Sequence, residues 1–421
     1  MGETGEIDGS DVPDARSPAM GTGLGMVTIE ETGLRVPIKT WLPPSEIDAG
    51  AMEQLRNAAS HPAVGPHVAV MPDCHVGFGV SIGCVFPTVA EVVPAAVGVD
   101  IGCGMCAVPT GRTHKPKRMD ARWWGAWAQA VQDAVPTGFK THTRPRRWDG
   151  LDTELRATPL QPLLGTKAAP QLGTLGGGNH FLEAQVDESG EIWLMVHSGS
   201  RHTGLRIADH YTDLARDIAG SRGAAFPRDL WSLSIDDQIG QDYLHDMGWA
   251  TAFALESRYR MLEAMLGAMG MEPDEVGGRD AFINIHHNFA RVERHGDREM
   301  VVHRKGATSA AAGEIGIIPG SMGTPSYIVR GRGNLDSFAS CSHGAGRRLG
   351  RNQARRAITE AAFKTALTGT HTRPSKGYID EAPQAYKDIT EVLARQTDLV
   401  EIVHTLTPII TVKGDSKAKD D

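Results

Sequence analysis

Asp100 and Cys103 lie three residues apart in the segment Val97-Gly98-Val99-Asp100-Ile101-Gly102-Cys103-Gly104-Met105. The apolar run before them reads as a buried strand that ends in a carboxylate and a thiolate. The surrounding glycines let the backbone turn sharply and let a ligand come close. A hard oxygen beside a soft sulfur has little use in core packing. The pair is coherent as two ligands of a transition-metal site if histidines arrive from elsewhere. Three blocks supply them. His180 stands in Gly176-Gly177-Gly178-Asn179-His180-Phe181-Leu182-Glu183, His197 in Val196-His197-Ser198-Gly199-Ser200-Arg201, and His287 in Asn284-Ile285-His286-His287-Asn288. Each is expected to follow or end a strand-like run beside Gly or Asn. Any single one of the 17 histidines is more often a surface or hydrogen-bonded core residue than a ligand. Jointly, Asp100, Cys103 and three imidazoles supply enough donors for two metals sharing the thiolate.

Cys103 and Cys106 form a C-x-x-C. With no second such pair, a structural four-cysteine zinc site is not expected, and Gly102 and Gly104 weaken a redox reading. Cys106 is expected to pack as a small hydrophobe. The glycine triplet can cradle a phosphate through backbone N–H groups. Asn179 can hold a phosphate oxygen, and Glu183 can accept from a purine's N–H groups. Pro319-Gly320-Ser321-Met322-Gly323-Thr324-Pro325-Ser326 is a second turn rich in hydroxyls, with a plain tight loop as the alternative. His343 differs from the other histidines. It precedes Gly344-Ala345-Gly346 and a helical pattern that sets Arg347, Arg351 and Arg355 on one face. An imidazole over a phosphate at a helix N-terminus suits nucleophilic attack at phosphorus, giving a phosphoramidate. The plain alternative is a helix cap beside a solvated arginine row.

The elements that must position these groups are short strands and a few long helices. Val68–Met71, Val92–Val99, Ile192–Val196, Phe282–Ile285 and Glu299–Val302 read as strands. Ala121–Val135, Thr203–Ile218, Ile235–Met269 and Gly346–Leu367 read as helices. They do not alternate in a βαβ rhythm, so an α+β architecture with mixed sheets and surrounding helices is expected. Among 421 residues, Gly is high at 49 and the glycines sit beside histidines, a mark of active-site loops. No linker or repeat divides the chain. One large domain is expected over residues 26–414, with a disordered tail over 1–25 and a frayed one over 415–421.

Charged residues at 22% and hydrophobic ones at 40% are ordinary for a soluble globular protein. The formal net charge of −8 argues against coating nucleic acid by bulk charge but leaves room for a local basic groove. Five cysteines, an odd number in glycine-rich segments, read as reduced thiols. With no secretory signal and no membrane span, a cytoplasmic location is expected.

These blocks resemble the RtcB family of RNA-splicing ligases, which join RNA ends using GTP and Mn²⁺. The likeness runs from about Val27 to Gly414. It includes Met71-Pro72-Asp73-Cys74-His75-Val76-Gly77 and Val302-His303-Arg304-Lys305-Gly306-Ala307-Thr308. The resemblance implies that Asp100, Cys103 and His180 hold one Mn²⁺, and Cys103, His197 and His287 a second. It implies that His343 becomes guanylylated. It places guanylate contacts at Asn179, His180, Phe181, Leu182, Glu183, His287, Asn288, Pro319, Gly320, Ser321, Met322, Ser326, His343, Gly344, Ala345, Gly346 and Lys413. Of His286 and His287, it favours His287, which directly precedes Asn288.

The implied partner is RNA with a 3′-phosphate or 2′,3′-cyclic phosphate end and a 5′-hydroxyl end, with an archease-type activator possible and no membrane. Candidate cationic surfaces are Arg144 with Arg146 and Arg147, Arg304 with Lys305, and the Arg347 helix face. The rival readings are a metal-dependent phosphoesterase using the same ligands, and an RNA-binding or chaperone-like homologue without catalysis.

Overall fold

In the computed structural model, which describes residues 25–414, two sheets carry the molecule. The expectations for the tails fall outside the described residues, apart from Gly25. A six-stranded sheet runs in the order Val27–Ile29, Ile38–Thr40, Val68–His75, Ile82–Thr88, Arg298–Lys305, Asn288–His295. Only its Ile38–Thr40 and Val68–His75 pair is parallel. A seven-stranded antiparallel sheet runs Ile283–His286, Gly104–Thr113, Glu191–Ser198, Phe181–Val186, Val400–Val412, Ser326–Gly331, Ile315–Ile318.

The second sheet curls until its two edge strands meet, with Ile283 and Ile285 packing near Ile315 and Ile317. Its strands follow the period-2 rule. Met105, Ala107, Met195, Ile328 and Leu406 fill the inside of the curl. Cys106, Val108, Leu182, Leu194, Val196 and Val412 face outward. The helices Ala121–Ala134 and Gln238–Ala268 cover that outer face through Trp124, Trp127, Val131, Met261, Leu262 and Met265. The mixture of sheets and helices is the expected α+β architecture. No helix among the described residues is long and apolar enough to cross a membrane.

Two expected elements differ. Val92–Val99 is not one strand: Glu91–Val92 pairs briefly with Leu233–Ser234, and Pro94–Val97 is a helical turn. Pro94 has no N–H to give a ladder, and its fixed φ suits the first turn of a helix. Gly98, at φ +93°, ends that turn. Asp100 and Cys103 therefore ride on a loop, not on a strand end. The expected helix Gly346–Leu367 is split into Arg351–Ala357 and Glu360–Ala366, the second capped by the Thr359 side chain. Gly346 sits at φ +72°, and a Cβ there would lie 2.1 Å from the Asp73 carbonyl oxygen. The segment after His343 is a tight loop against Asp73, so His343 follows a strand, Ser340–Ser342, and does not stand at a helix N-terminus.

Candidate active site

The loops at one end of the curled sheet and the adjoining edge of the six-stranded sheet enclose a cleft of about 330 Å³. Strand register explains the convergence. His197 lies opposite Met105 on one side and Phe181 on the other, while His286 pairs with Gly104. The residues just beyond these strand ends are Cys103, His180 and His287, so all reach the same space. His180 precedes its strand, Phe181–Val186; it does not follow one.

Cys103 Sγ lies 3.3 Å from His180 Nε2 and 3.3 Å from His197 Nε2. His180 Nε2 is 3.1 Å from Asp100 Oδ2, and His197 Nε2 is 3.4 Å from His287 Nε2. Donors bound about 2.0–2.3 Å from a common ion stand about 3.1–3.6 Å apart, so these separations fit a ligand cluster. Burial holds His197 and His287 well below the usual histidine pKa, with nearby positive groups adding to it, so their rings are neutral and can offer lone pairs. The Nδ1 atoms of His180 and His287 are buried without a hydrogen-bond partner. The Cys103–His180–His197 group can thus hold a metal. Asp100 is fixed by the Ser200 N–H at 3.1 Å and rests against Gly199, where any Cβ would collide with its carboxylate.

His286 and His287 diverge, as adjacent residues on extended backbone must. His286 Nδ1 accepts from Arg258, and burial together with that guanidinium pushes its pKa down to about 3. Arg258, wholly buried on the long helix, also donates to Asn284 Oδ1, Gly102 O and Ser198 O at 2.7–2.9 Å. One side chain thereby ties down the three segments that carry Cys103, His197 and His287. Arg258→Lys is expected to lower stability by roughly 2–4 kcal/mol, because a single ammonium cannot cover four buried acceptors. It should also weaken metal binding by about tenfold or more. Denaturant midpoints and metal titration check this; native values for both would refute it.

His343 lies across the cleft from this group, its ring 4.9 Å from that of His287. Asp73, fully buried in the strand Val68–His75, accepts from His343 Nδ1 at 2.6 Å and from its backbone N–H at 3.2 Å. That leaves Nε2 with the lone pair. Glu183 lies on the cleft wall, accepting from Thr411 and Gln185 at 2.5 Å each. Burial raises its pKa to about 7, against the lowering effect of those bonds and of Lys413. Lys413 is buried 3.8 Å from Glu381 and 5.8 Å from the Phe181 ring centre, and burial depresses its pKa. Asn288 links the two halves, donating to Asp100 O and accepting from Gly306 N. Ser326 accepts from the Gly320 N–H, shaping the Pro319–Met322 turn.

Asn179, Phe181, Pro319, Gly320, Ser321, Met322, Gly344, Ala345 and Gly346 also line the cleft. Leu182 is the exception among the expected contacts. It falls between Phe181 and Glu183 in a strand, so its side chain points the other way, into the core beneath the helices. Cys106 points into that same core, and burial raises its thiol pKa to about 12.

Two of the three cationic surfaces are corrected. Arg304 is buried and forked onto Glu293, and Lys305 is buried against the carbonyls of Phe78 and Ala95. Arg347, Arg351 and Arg355 are not a free basic face, because Asp380 and Glu381 pair with them. Arg144, Arg146 and Arg147 remain exposed.

Comparison with known proteins gives concordant matches. A family model described as tRNA-splicing ligase RtcB matches residues 54–157 and 156–414. The RNA-splicing ligase RtcB of Escherichia coli (strain K12) is 41% identical over 404 residues, covering 90% of this chain and 97% of that protein. The tRNA-splicing ligase RtcB of Archaeoglobus fulgidus is 30% identical over 461 residues, covering 91% and 95%. The RNA-splicing ligase RtcB of Mycobacterium tuberculosis is 31% identical over 438 residues, covering 86% and 100%.

Proposed function

This chain belongs to the RtcB family of tRNA-splicing ligases, and from that premise we propose that it joins an RNA 3′-phosphate or 2′,3′-cyclic phosphate end to a 5′-hydroxyl end, using GTP and Mn²⁺. One observation carries the reading: His343, the buried Cys103–imidazole group and the buried Glu183 carboxylate open onto one cleft. A nucleotide in that cleft can meet all three at once.

In this reading Nε2 of His343 attacks the α-phosphorus of GTP. An N–P bond forms, the bridging P–O bond breaks, and pyrophosphate leaves. Asp73 keeps the Nδ1 proton, holds the ring in one tautomer and offsets the charge that develops on it. The guanylyl group then passes to an oxygen of the RNA 3′-phosphate, a cyclic end being opened first. Attack by the 5′-hydroxyl on that activated phosphate releases GMP. Asp100, Cys103 and His180 would hold one Mn²⁺ and Cys103, His197 and His287 the other, supplying Lewis-acid neutralisation of phosphate oxygens. The protein's own contribution is placement. Asn179 and the Pro319–Met322 turn offer donors to the nucleotide, Lys413 a cation, and Glu183 a carboxylate that accepts from the guanine edge. A cytoplasmic setting and an archease-type activator belong to the same proposal.

The test is ligation of two RNA oligonucleotides, one ending in a 2′,3′-cyclic phosphate and one beginning with a 5′-hydroxyl. A joined product that needs both GTP and Mn²⁺ is expected; phosphate release without GTP would instead mark a phosphoesterase. Run from about pH 8 to pH 6, the same assay reports on Glu183. Its carboxyl titrates at about 7, so the accepting carboxylate is present above that pH and lost below it. Apparent GTP affinity should fall on acidification, approaching about tenfold per pH unit, and Glu183→Gln should flatten the profile.

A further inference from the structure

Beyond the cleft, the segment Thr137-Gly138-Phe139-Lys140-Thr141-His142-Thr143-Arg144-Pro145-Arg146-Arg147 combines features that the chemistry above does not use. Its backbone is pinned along its length. Gly138 donates to Leu175 O at 2.9 Å and accepts from Arg201 at 2.7 Å. His142 N and Arg146 N donate to Pro170 O and Ala169 O at 2.9 Å each, and Arg147 O accepts from Arg260 at 2.7 Å. The side chains between these anchors face water. Phe139 is 52% exposed while lining the mouth of the cleft. Lys140, Arg144, Arg146 and Arg147 are exposed, with no carboxylate in the sequence between them.

In charge pairing the loop differs from the arginines on the cleft wall. The chain carries −8 overall, and Arg304, Arg347, Arg351 and Arg355 pair with Glu293, Asp380 and Glu381. None of the four cations on the loop forms an ion pair among the described residues. A flexible loop would tuck its phenylalanine away. A pinned one leaves about half of the ring in water, where it forgoes roughly 1 kcal/mol of burial. An exposed ring followed by unpaired cations on rigid backbone is the combination that binds single-stranded nucleic acid: bases stack on the ring while phosphates follow the charge.

We propose that this loop is the platform for one RNA strand, with Phe139 stacking a base close to the joining ends and Lys140, Arg144, Arg146 and Arg147 following the phosphates away from the cleft. The assignment rests on the ligase reading above for the identity of the strand. The pinned backbone presents the surface without a backbone ordering cost on binding.

The test measures binding of a short fluorescent single-stranded RNA with a 3′-phosphate between about 50 and 200 mM salt. Self-labelling by GTP and Mn²⁺, which needs no RNA, is followed in parallel. Phe139→Ala should weaken RNA binding about tenfold or more with the salt slope unchanged. The triple variant Arg144→Ala, Arg146→Ala, Arg147→Ala should weaken binding and flatten the slope by about 0.7 for each phosphate that no longer meets an arginine. The triple variant should label at the native rate. Native RNA affinity and slope in both variants would overturn the platform and leave the loop as a protein-docking or solvated surface. If native protein fails to label with GTP while the variants still lose RNA binding, the ligase reading falls and the platform stands.

Discussion

Incubated with radiolabelled GTP and Mn²⁺, the protein is expected to become covalently labelled, and His343→Ala to remove the label entirely. The expectation rests on how the imidazole is held. Asp73 is fully buried and takes both the Nδ1 proton and the backbone N–H of His343, so the ring is locked in orientation and tautomer before any substrate arrives. Its other nitrogen is then a nucleophile positioned in the cleft. His197 and His287 also sit there, but their Nε2 atoms face one another and that of His197 also faces Cys103, an arrangement that suits ligands more than a free attacking group. Asp73→Asn should retain the fold and slow labelling by about 10²–10⁴-fold, since an amide can hold the ring in the wrong tautomer. The label should be lost in acid and kept in alkali, as phosphoramidates are and phosphate esters of serine are not. A label that survives in His343→Ala would remove this residue from the mechanism.

The comparison of Asp73 with His343 also shows which parts of the site were legible in the sequence. His343 stood out because an imidazole among glycines is a local signal. Asp73 lay in a recognised block but carried no sign of its role, because its partner is 270 residues away and tertiary packing alone brings them together. Arg258 was silent for a related reason. On a long helix an arginine reads as solvated, and nothing nearby says that four acceptors from three other segments will surround it. Local reading failed where proline and glycine broke a pattern: apolar content alone made Val92–Val99 a strand, although Pro94 and Gly98 impose a turn. Leu182 shows the opposite case. Strand alternation, applied to Phe181-Leu182-Glu183, already says that the middle side chain leaves the cleft. The overall α+β class was readable from the segment pattern, but the curl that brings the two edge strands together was not, since it depends on long-range pairing.

Cys103→Ser is expected to lower Mn²⁺ affinity by more than about 100-fold with little change in fold. Substitutions that only touch a metal's outer shell typically cost 10–100-fold, and this one removes a donor. Cys103 touches both His180 and His197, so in the proposed arrangement its sulfur would serve both ions. A serine hydroxyl fills nearly the same space but stays protonated near neutral pH, so the site loses its anionic bridge while two neutral imidazoles remain. Metal titration and metal content after dialysis give the readout, and circular dichroism checks the fold. Cys106→Ser separates donor loss from burial of a hydroxyl. That residue is equally buried but faces the helices, so it should reduce stability by about 1–3 kcal/mol and leave Mn²⁺ content unchanged. Unchanged stoichiometry and affinity in Cys103→Ser would leave the imidazoles and Asp100 as the whole site. The contrast between the two cysteines would then reflect only where each is packed, Cys103 on its loop and Cys106 beneath the helices.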